Sequence, residues 1–172
     1  MEAARAFANL VTHYSTAPSA ADRERARPPA GTGGPKPARG EPKQQALKLK
    51  PEDPYVLNNY AYYLSLRNEK LEKALEMSKK SNDLQKNNAS FLDTYAWIFY
   101  KLGKYEDAYI WMLEAKKYSE KITPTIADHI GDILFKLGKT EEAVREWERA
   151  KSLGDTRELL DRKIKEKKLY EE

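Results

Sequence analysis

The stretch KLGKYEDAYIWMLEA, residues 101–115, returns 35 residues later as KLGKTEEAVREWERA, residues 136–150. Seven of the 15 positions are identical, among them the opening Lys-Leu-Gly-Lys and two alanines that lie seven residues apart. Internal similarity at a fixed period of this length is typical of arrays of stacked supersecondary units. The apolar residues recur at spacings of three and four, which indicates amphipathic helices. The two segments therefore predict repeated helix–turn–helix units.

Small residues extend the pattern to a third copy. Where two helices pack closely their facing residues must be small, and the residue after a helix favours Gly or Asn, which tolerate left-handed geometry. The corresponding positions are Ala61, Ala96 and Gly131 in the first helix, Asn68, Gly103 and Gly138 in the turn, and Ala74, Ala108 and Ala143 followed by Ser81, Ala115 and Ala150 in the second helix. The first copy has one additional residue before Ala74. Its turn also lacks glycine.

Two helix starts can be predicted from capping residues. Asp53 precedes Pro54, and Thr123 precedes Pro124. Asp and Thr accept hydrogen bonds from the free amides of a first helical turn, where proline is well tolerated. We therefore expect helices to begin at Pro54 and Pro124.

The spacing of small residues, with Gly in the turn, closely resembles the tetratricopeptide repeat (TPR). The resemblance covers residues 46–155 and implies an all-α, right-handed superhelical α-solenoid of about three repeats, at residues 54–87, 89–122 and 124–154. The sequences of residues 56–65, 91–98 and 159–172 are also similar to those of TPR proteins of Bacteroidetes bacteria, many of them lipoproteins. That likeness implies a periplasmic or membrane-attached bacterial relative, although the chain contains no cysteine to carry a lipid.

Residues 1–45 differ from the rest in composition. Residues 28–42 hold five of the nine prolines and four of the eight glycines, which predicts a disordered tail. Residues 2–14 are compatible with a short helix, which is either a docking segment or has no function. Residues 46–50 resemble the end of a second repeat helix, so we expect a truncated array joined to an unrelated extension. Whether that extension is a fusion, an unusual start or a functional tail stays open.

The segment after Gly154 predicts one further helix, at residues 156–169, that caps the array. Asp155 or Thr156 can begin it, and an apolar stripe of Leu159, Leu160 and Ile164 can face the last repeat. Terminal repeats need a polar outer face to end a stack. A membrane- or RNA-binding helix is the alternative interpretation, but the six acidic residues from Asp155 onward argue against it.

Charge and composition exclude several function classes. Residues 1–45 hold seven Lys/Arg and four Asp/Glu, and the remainder holds 24 and 23, so the repeat region is nearly neutral and shows no nucleic-acid-binding charge. No apolar run approaches the roughly 20 residues of a membrane span. Asp128, His129 and Asp132 are spaced as metal ligands could be, but no further ligand accompanies them. We predict no cofactor, no metal site and no enzymatic activity.

The TPR resemblance implies a peptide-binding groove lined by the first helix of each repeat. The candidate residues are Asn58, Tyr62, Ser65 and Leu66; Asp93, Trp97, Tyr100 and Lys101; and Asp128, Asp132, Phe135 and Lys136. The Lys/Asn pattern with which some TPR proteins hold a peptide carboxylate is missing. The three carboxylates predict a basic or neutral ligand with an apolar anchor. In the alternative interpretation, the aromatic residues only pack between neighbouring repeats.

Two functions are compatible with such an array. The first is a protein-interaction scaffold that binds a peptide or protein segment on its concave face. The second is a structural or tethering piece, in which the truncated array self-associates through its open N-terminal face and the basic tail docks elsewhere. The partner, the organism, the compartment and the oligomeric state do not follow from the sequence.

Overall fold

The computed structural model describes residues 41–170, and the side chains of residues 44–170. The described part is all helical, with eight helices and no strand. They are α1 (Glu41–Leu49), α2 (Pro54–Leu66), α3 (Leu71–Leu84), α4 (Ala89–Lys101), α5 (Tyr105–Tyr118), α6 (Pro124–Lys136), α7 (Thr140–Ser152) and α8 (Glu158–Glu166). The predicted helix at residues 2–14 lies outside the described residues, as do residues 1–40 of the predicted disordered tail. The last residues of that predicted tail, 41–45, are helical and belong to α1.

The chain divides into two units, residues 1–51 and residues 52–172. Helix α1 is the described helix of the first unit, and it begins at Glu41, five residues before the predicted boundary at Ala46. Proline at position 42 does not prevent this, because an amide in the first turn of a helix has no partner within the helix. The second unit contains the repeats.

The three repeats form as paired helices: α2 with α3, α4 with α5, and α6 with α7. All the predicted alanine and serine contact positions, from Ala61 to Ala150, are fully buried. At Gly131 an added Cβ would overlap the indole ring of Trp147, so this hairpin requires glycine. The periodic small residues thus do lie where helices approach each other.

The turns within the repeats share one geometry. Gly103 and Gly138 have φ of 74° and 78°, and Asn68 has φ of 53°. In the second repeat Gly103 donates to the Tyr100 carbonyl at 2.9 Å and Lys104 donates to the Phe99 carbonyl at 3.0 Å. This pair of bonds is the Schellman motif, and the turns at Asn68, Gly138 and Gly154 repeat it. The predicted turn positions are confirmed.

The additional residue of the first repeat is absorbed in its turn. Lys70 has φ of 48°, whereas Lys104 and Lys139, at the corresponding places, have φ of −92°. Helix α3 accordingly begins ten residues after Ala61, one more than the interval between Ala96 and Tyr105. The local change leaves the burial of Ala74 intact.

Both proline-based helix starts are confirmed. The Asp53 carboxylate accepts from the amides of Tyr55 and Val56 at 2.9 and 3.1 Å. The Thr123 hydroxyl accepts from the amide of Ile126 at 3.2 Å.

The start of the capping helix was predicted wrongly. Helix α8 begins at Glu158, with Arg157 in the N-cap position and no side-chain cap. The Asp155 carboxylate instead accepts from the amide and the guanidinium of Arg157. The helix still packs on the third repeat, because Leu160 is buried while Glu158, Asp161, Arg162, Lys165 and Glu166 are exposed.

Candidate binding surface

The first helices of the repeats form one continuous face. Helix α2 packs on α4 and α4 packs on α6, whereas each second helix packs on the first helix that follows it. We call the surface shared by α2, α4 and α6 the first-helix face. It carries all the candidate groove residues.

Most of those candidates are buried by neighbouring repeats. Seven of them are below one-tenth exposure: Asn58, Ser65, Asp93, Trp97, Tyr100, Asp128 and Asp132. Tyr62, Lys101 and Phe135 are half-buried, and Lys136 is exposed, as is Leu66. The candidates that reach solvent are therefore Tyr62, Leu66, Lys101, Phe135 and Lys136. We call them the exposed strip.

An aromatic stack supports the centre of the strip. The Trp97 ring lies 3.9 Å from the His129 ring and 4.5 Å from the Tyr100 ring, and is nearly parallel to both. The Lys101 ammonium lies over Trp97 at 5.1 Å from the ring centre. A cation over an indole face is attracted by the ring quadrupole. The stack thus joins repeats two and three and holds Lys101 at the surface.

The carboxylate of Asp93 has a partner within the array. His129 Nδ1 lies 2.8 Å from Asp93 Oδ1, and both side chains are buried. Burial acts to lower the pKa of His129, but the nearby carboxylates, Asp93 foremost, raise it above its usual value. This pairing connects α4 to α6 and leaves Asp93 unavailable to a ligand in this conformation.

The carboxylates of Asp128 and Asp132 are held by the C-terminal helix. The Lys163 ammonium donates to Asp128 at 3.1 Å and to the two oxygens of Asp132 at 2.7 and 2.9 Å. Arg157 donates to Asp128 at 2.6 Å, and the Trp147 indole donates to Asp132 at 2.8 Å. Lys163 itself is only 3% exposed. We call Asp128, Asp132, Arg157, Lys163 and Trp147 the C-terminal ion cluster.

Burial and neighbouring charge act strongly on Asp132. Desolvation and the adjacent Asp128 raise its pKa to about 6, against the lowering effect of Lys163 and Trp147. With Asp155 included, three carboxylates face the two cations Arg157 and Lys163. The cluster therefore has an excess of negative charge, which is consistent with the direction of the shift.

The two charged contacts occupy equivalent places in the repeat. Asp93 and His129 are 36 residues apart, and Asp128 and Lys163 are 35 apart. The corresponding acceptor in the first repeat, Asn58 Oδ1, is buried and has no hydrogen-bond partner. Trp97 Nε1 is also buried without one. The repeats are thus connected by a polar contact at each later junction, and that contact is incomplete at the first.

The charges left at the surface of the face are positive. Helix α2 has no charged residue, and the acidic residues of α4 and α6 are Asp93, Asp128 and Asp132. All three are bound internally, so the remaining charges of the three helices are those of the half-buried Lys101 and the exposed Lys136. The carboxylates from which a basic ligand was predicted thus have internal partners, and the charge of the ligand stays a prediction.

The candidate metal ligands have other roles. Asp128 and Asp132 are bridged by an ammonium group, and His129 points to Asp93. Within residues 41–170 no group of three or more potential ligands is arranged for a metal ion. In the same region no helix combines the length and the apolar character required to cross a membrane.

Comparison with solved structures identifies the architecture. The chain is similar to YrrB, a TPR protein with an unusual peptide-binding site, with a TM-score of 0.54 and 23% identity over 65% of this chain and 57% of that one. It is also similar to TTC0263, a thermophilic TPR protein of Thermus thermophilus, with a TM-score of 0.61 and 16% identity over 74% and 70%. The fold is that of a TPR array.

A third similar structure is PilF of Pseudomonas aeruginosa, with a TM-score of 0.62 and 21% identity over 74% of this chain and 57% of that one. The chain thus spans just over half the length of YrrB and of PilF. No protein-family model and no curated protein matches the sequence. The likeness to Bacteroidetes proteins stays a prediction, because these structures do not test it.

Sequence reasoning missed three residues that contact the first-helix face: His129 as the partner of Asp93, and Arg157 and Lys163 as partners of Asp128. A signal was present, since His129 and Lys163 follow their partners by almost one repeat period. A helix wheel shows which direction a side chain points. It does not show that the next repeat covers it.

Proposed function

We propose that the array is a protein-interaction scaffold whose first-helix face, concave in a TPR fold, binds an acidic or neutral peptide segment. The observation that carries the proposal is the exposed strip. Its charges are those of Lys101 and Lys136, and the half-buried rings of Tyr62 and Phe135 lie in the same three helices. YrrB, which shares the fold, has a peptide-binding site.

The chemistry of the strip defines the ligand. Lysine side chains attract carboxylates, and aromatic side chains give contact area at low entropic cost. Phe135 packs at 5.7 Å against Trp147, so its ring is supported from below and is suited to hold an apolar anchor. The ligand is therefore a segment with acidic residues flanking one aromatic or branched aliphatic residue.

Selection from a random peptide library against the immobilised full chain tests the proposal. The selected peptides should be acidic and carry one apolar anchor. The double variant Lys101→Glu, Lys136→Glu should bind the selected peptides at least about tenfold more weakly than the wild type. The double variant Lys73→Glu, Lys79→Glu, which makes the same charge change on α3, should bind them as the wild type does. A selection that yields no acidic peptides, or equal weakening of the selected peptides by both pairs, would contradict the proposal.

Self-association is a second candidate, favoured by two exposed apolar side chains on α2. Tyr55 is 45% exposed and Leu66 is 54% exposed. Tyr55 packs edge-on against Phe91 of the next repeat, so Leu66 is the larger apolar surface that α2 offers to a second copy. Light scattering distinguishes the candidates: a mass that doubles with concentration, and returns to that of one chain in Leu66→Glu, supports self-association.

A further inference from the structure

Helix α8 is attached to the array by one buried leucine, by the partly buried Ile164 and by charged groups. Leu160 is its only buried apolar residue, and Leu159 and Ile164 are partly exposed. An isolated helix of nine residues is not stable in water. Its stability here depends on the contacts of Arg157 and Lys163 with Asp128 and Asp132.

A buried ion pair gives specificity with little net stabilisation. The desolvation of both charges offsets much of their attraction, so the contact is selective without being strong. Lys163 is almost completely buried and reaches three carboxylate oxygens. The two carboxylates thus form a built site that has a lysine ammonium bound in it.

We infer that Asp128 and Asp132 form a binding site for a basic helical segment, and that α8 is a displaceable internal ligand of that site. The contacting residues Arg157, Leu160 and Lys163 are three residues apart, so they share one helix face. The ligand pattern is therefore Arg-x-x-Leu-x-x-Lys on an amphipathic helix. A second copy of this chain supplies such a segment in its own α8.

The excess negative charge of the cluster supports this inference. Two cations face three carboxylates when Asp155 is counted. When α8 dissociates, the carboxylates it leaves behind attract an incoming basic segment. The exchange also keeps the end of the array covered, because an incoming lysine would replace the Lys163 ammonium, which lies over the Trp147 ring at 5.7 Å. This site lies at the C-terminal end of the array. It adjoins the exposed strip through the contact between Trp147 and Phe135, but its carboxylates are not part of the strip.

Hydrogen exchange on the unaltered full chain gives the first test. If α8 is displaceable, its backbone amides should exchange at least about tenfold faster than those of α6 and α7, because they open without global unfolding. Equal protection of α6, α7 and α8 would overturn the inference.

Binding in trans gives the second test. A fluorescent peptide of residues 155–170 is titrated against the full wild-type chain and the full Lys163→Met chain. The variant, with its own ammonium removed, should bind the peptide at least about tenfold more tightly than the wild type, because its internal ligand competes less well. A peptide that itself carries the Lys163→Met change should not bind the variant chain more tightly than it binds the wild type.

Three results would overturn the inference: no peptide binding to a variant whose circular dichroism is unchanged, equal binding to both chains, or equal binding of both peptides. If the variant loses its helical signal, the exchange measurement on the wild type decides alone. A competing peptide with the acidic pattern of the first-helix face should not displace the α8 peptide, and displacement would show that the two sites are one.

Discussion

The first and the last junctions of the array use the same repeat position in different ways. At the first, Asn58 Oδ1 is buried with no partner. At the last, the equivalent Asp128 contacts Lys163 and Arg157. The later junctions also share one apolar core, because a single cluster of buried residues extends from Leu92 through repeats two and three to Leu160 in α8. At this repeat position, polar contacts are therefore complete at the two later junctions and incomplete at the first.

The largest expected effect is at the last junction. Lys163→Met should lower the free energy of unfolding of the C-terminal end by about 3 kcal/mol, because it leaves two carboxylates buried without their cation. Lys167→Met, which removes an exposed pair with Glu141, should cost less than about 1 kcal/mol. Urea denaturation followed by tryptophan fluorescence measures both. Equal costs would remove the distinction between the buried and the exposed ion pair of this junction.

The pH dependence of stability should also originate at the later junctions. The pKa of Asp132 is raised to about 6 and that of His129 is raised, so the folded state binds protons more tightly than the unfolded chain at both sites. Stability should therefore fall as pH rises from about 4 to about 6, where Asp132 releases its proton, and should fall further above about pH 6.5, where His129 does. The charged neighbours that set these values are Asp93, Asp128 and Lys163.

Denaturation at several pH values checks the sign and the source. Asp132→Asn should flatten the dependence around pH 5–6, and Asp93→Asn should flatten it above about pH 6.5, where His129 releases its proton. A stability that rises with pH over this range would contradict the assignment of both groups.

The smallest effect is expected at the first junction. Asn58→Leu replaces a buried, unpartnered carbonyl oxygen by an apolar group of similar volume, and should stabilise the chain by up to about 1 kcal/mol. Asn59→Leu, at a half-buried neighbour, is the matched control. If Asn58→Leu destabilises the chain by more than about 1 kcal/mol, the Asn58 side chain takes part in a polar contact after all.

The hairpins could be predicted from the sequence, because their signals are local. Asn68, Gly103 and Gly138 end helices through backbone geometry, and Asp53 and Thr123 begin them through hydrogen bonds to amides two or three residues away. The candidate surface could not be predicted equally well. Trp97 is buried because His129, 32 residues later, stacks on it, and Asp132 is buried under α8. Such coverage depends on contacts between repeats.

The start of α8 shows a similar limit. Asp155 is a good N-cap by residue type, but it lies in a turn where the Arg157 guanidinium contacts it. Although burial acts to raise the pKa of Asp155, the hydrogen bonds from Arg157 lower it overall. A competing partner two residues away was sufficient to shift the helix start to Glu158.

The left-handed Lys70 has a practical consequence for engineering. The turn of residues 67–70 accommodates one residue more than its two counterparts and leaves Ala61 and Ala74 fully buried. This turn therefore already differs in length from the other two hairpin turns without disturbing the packing of the helices. We expect it to accept an inserted epitope or fluorophore-labelling tag. Replacing Lys70 by glycine would relax its backbone and make room for the insertion.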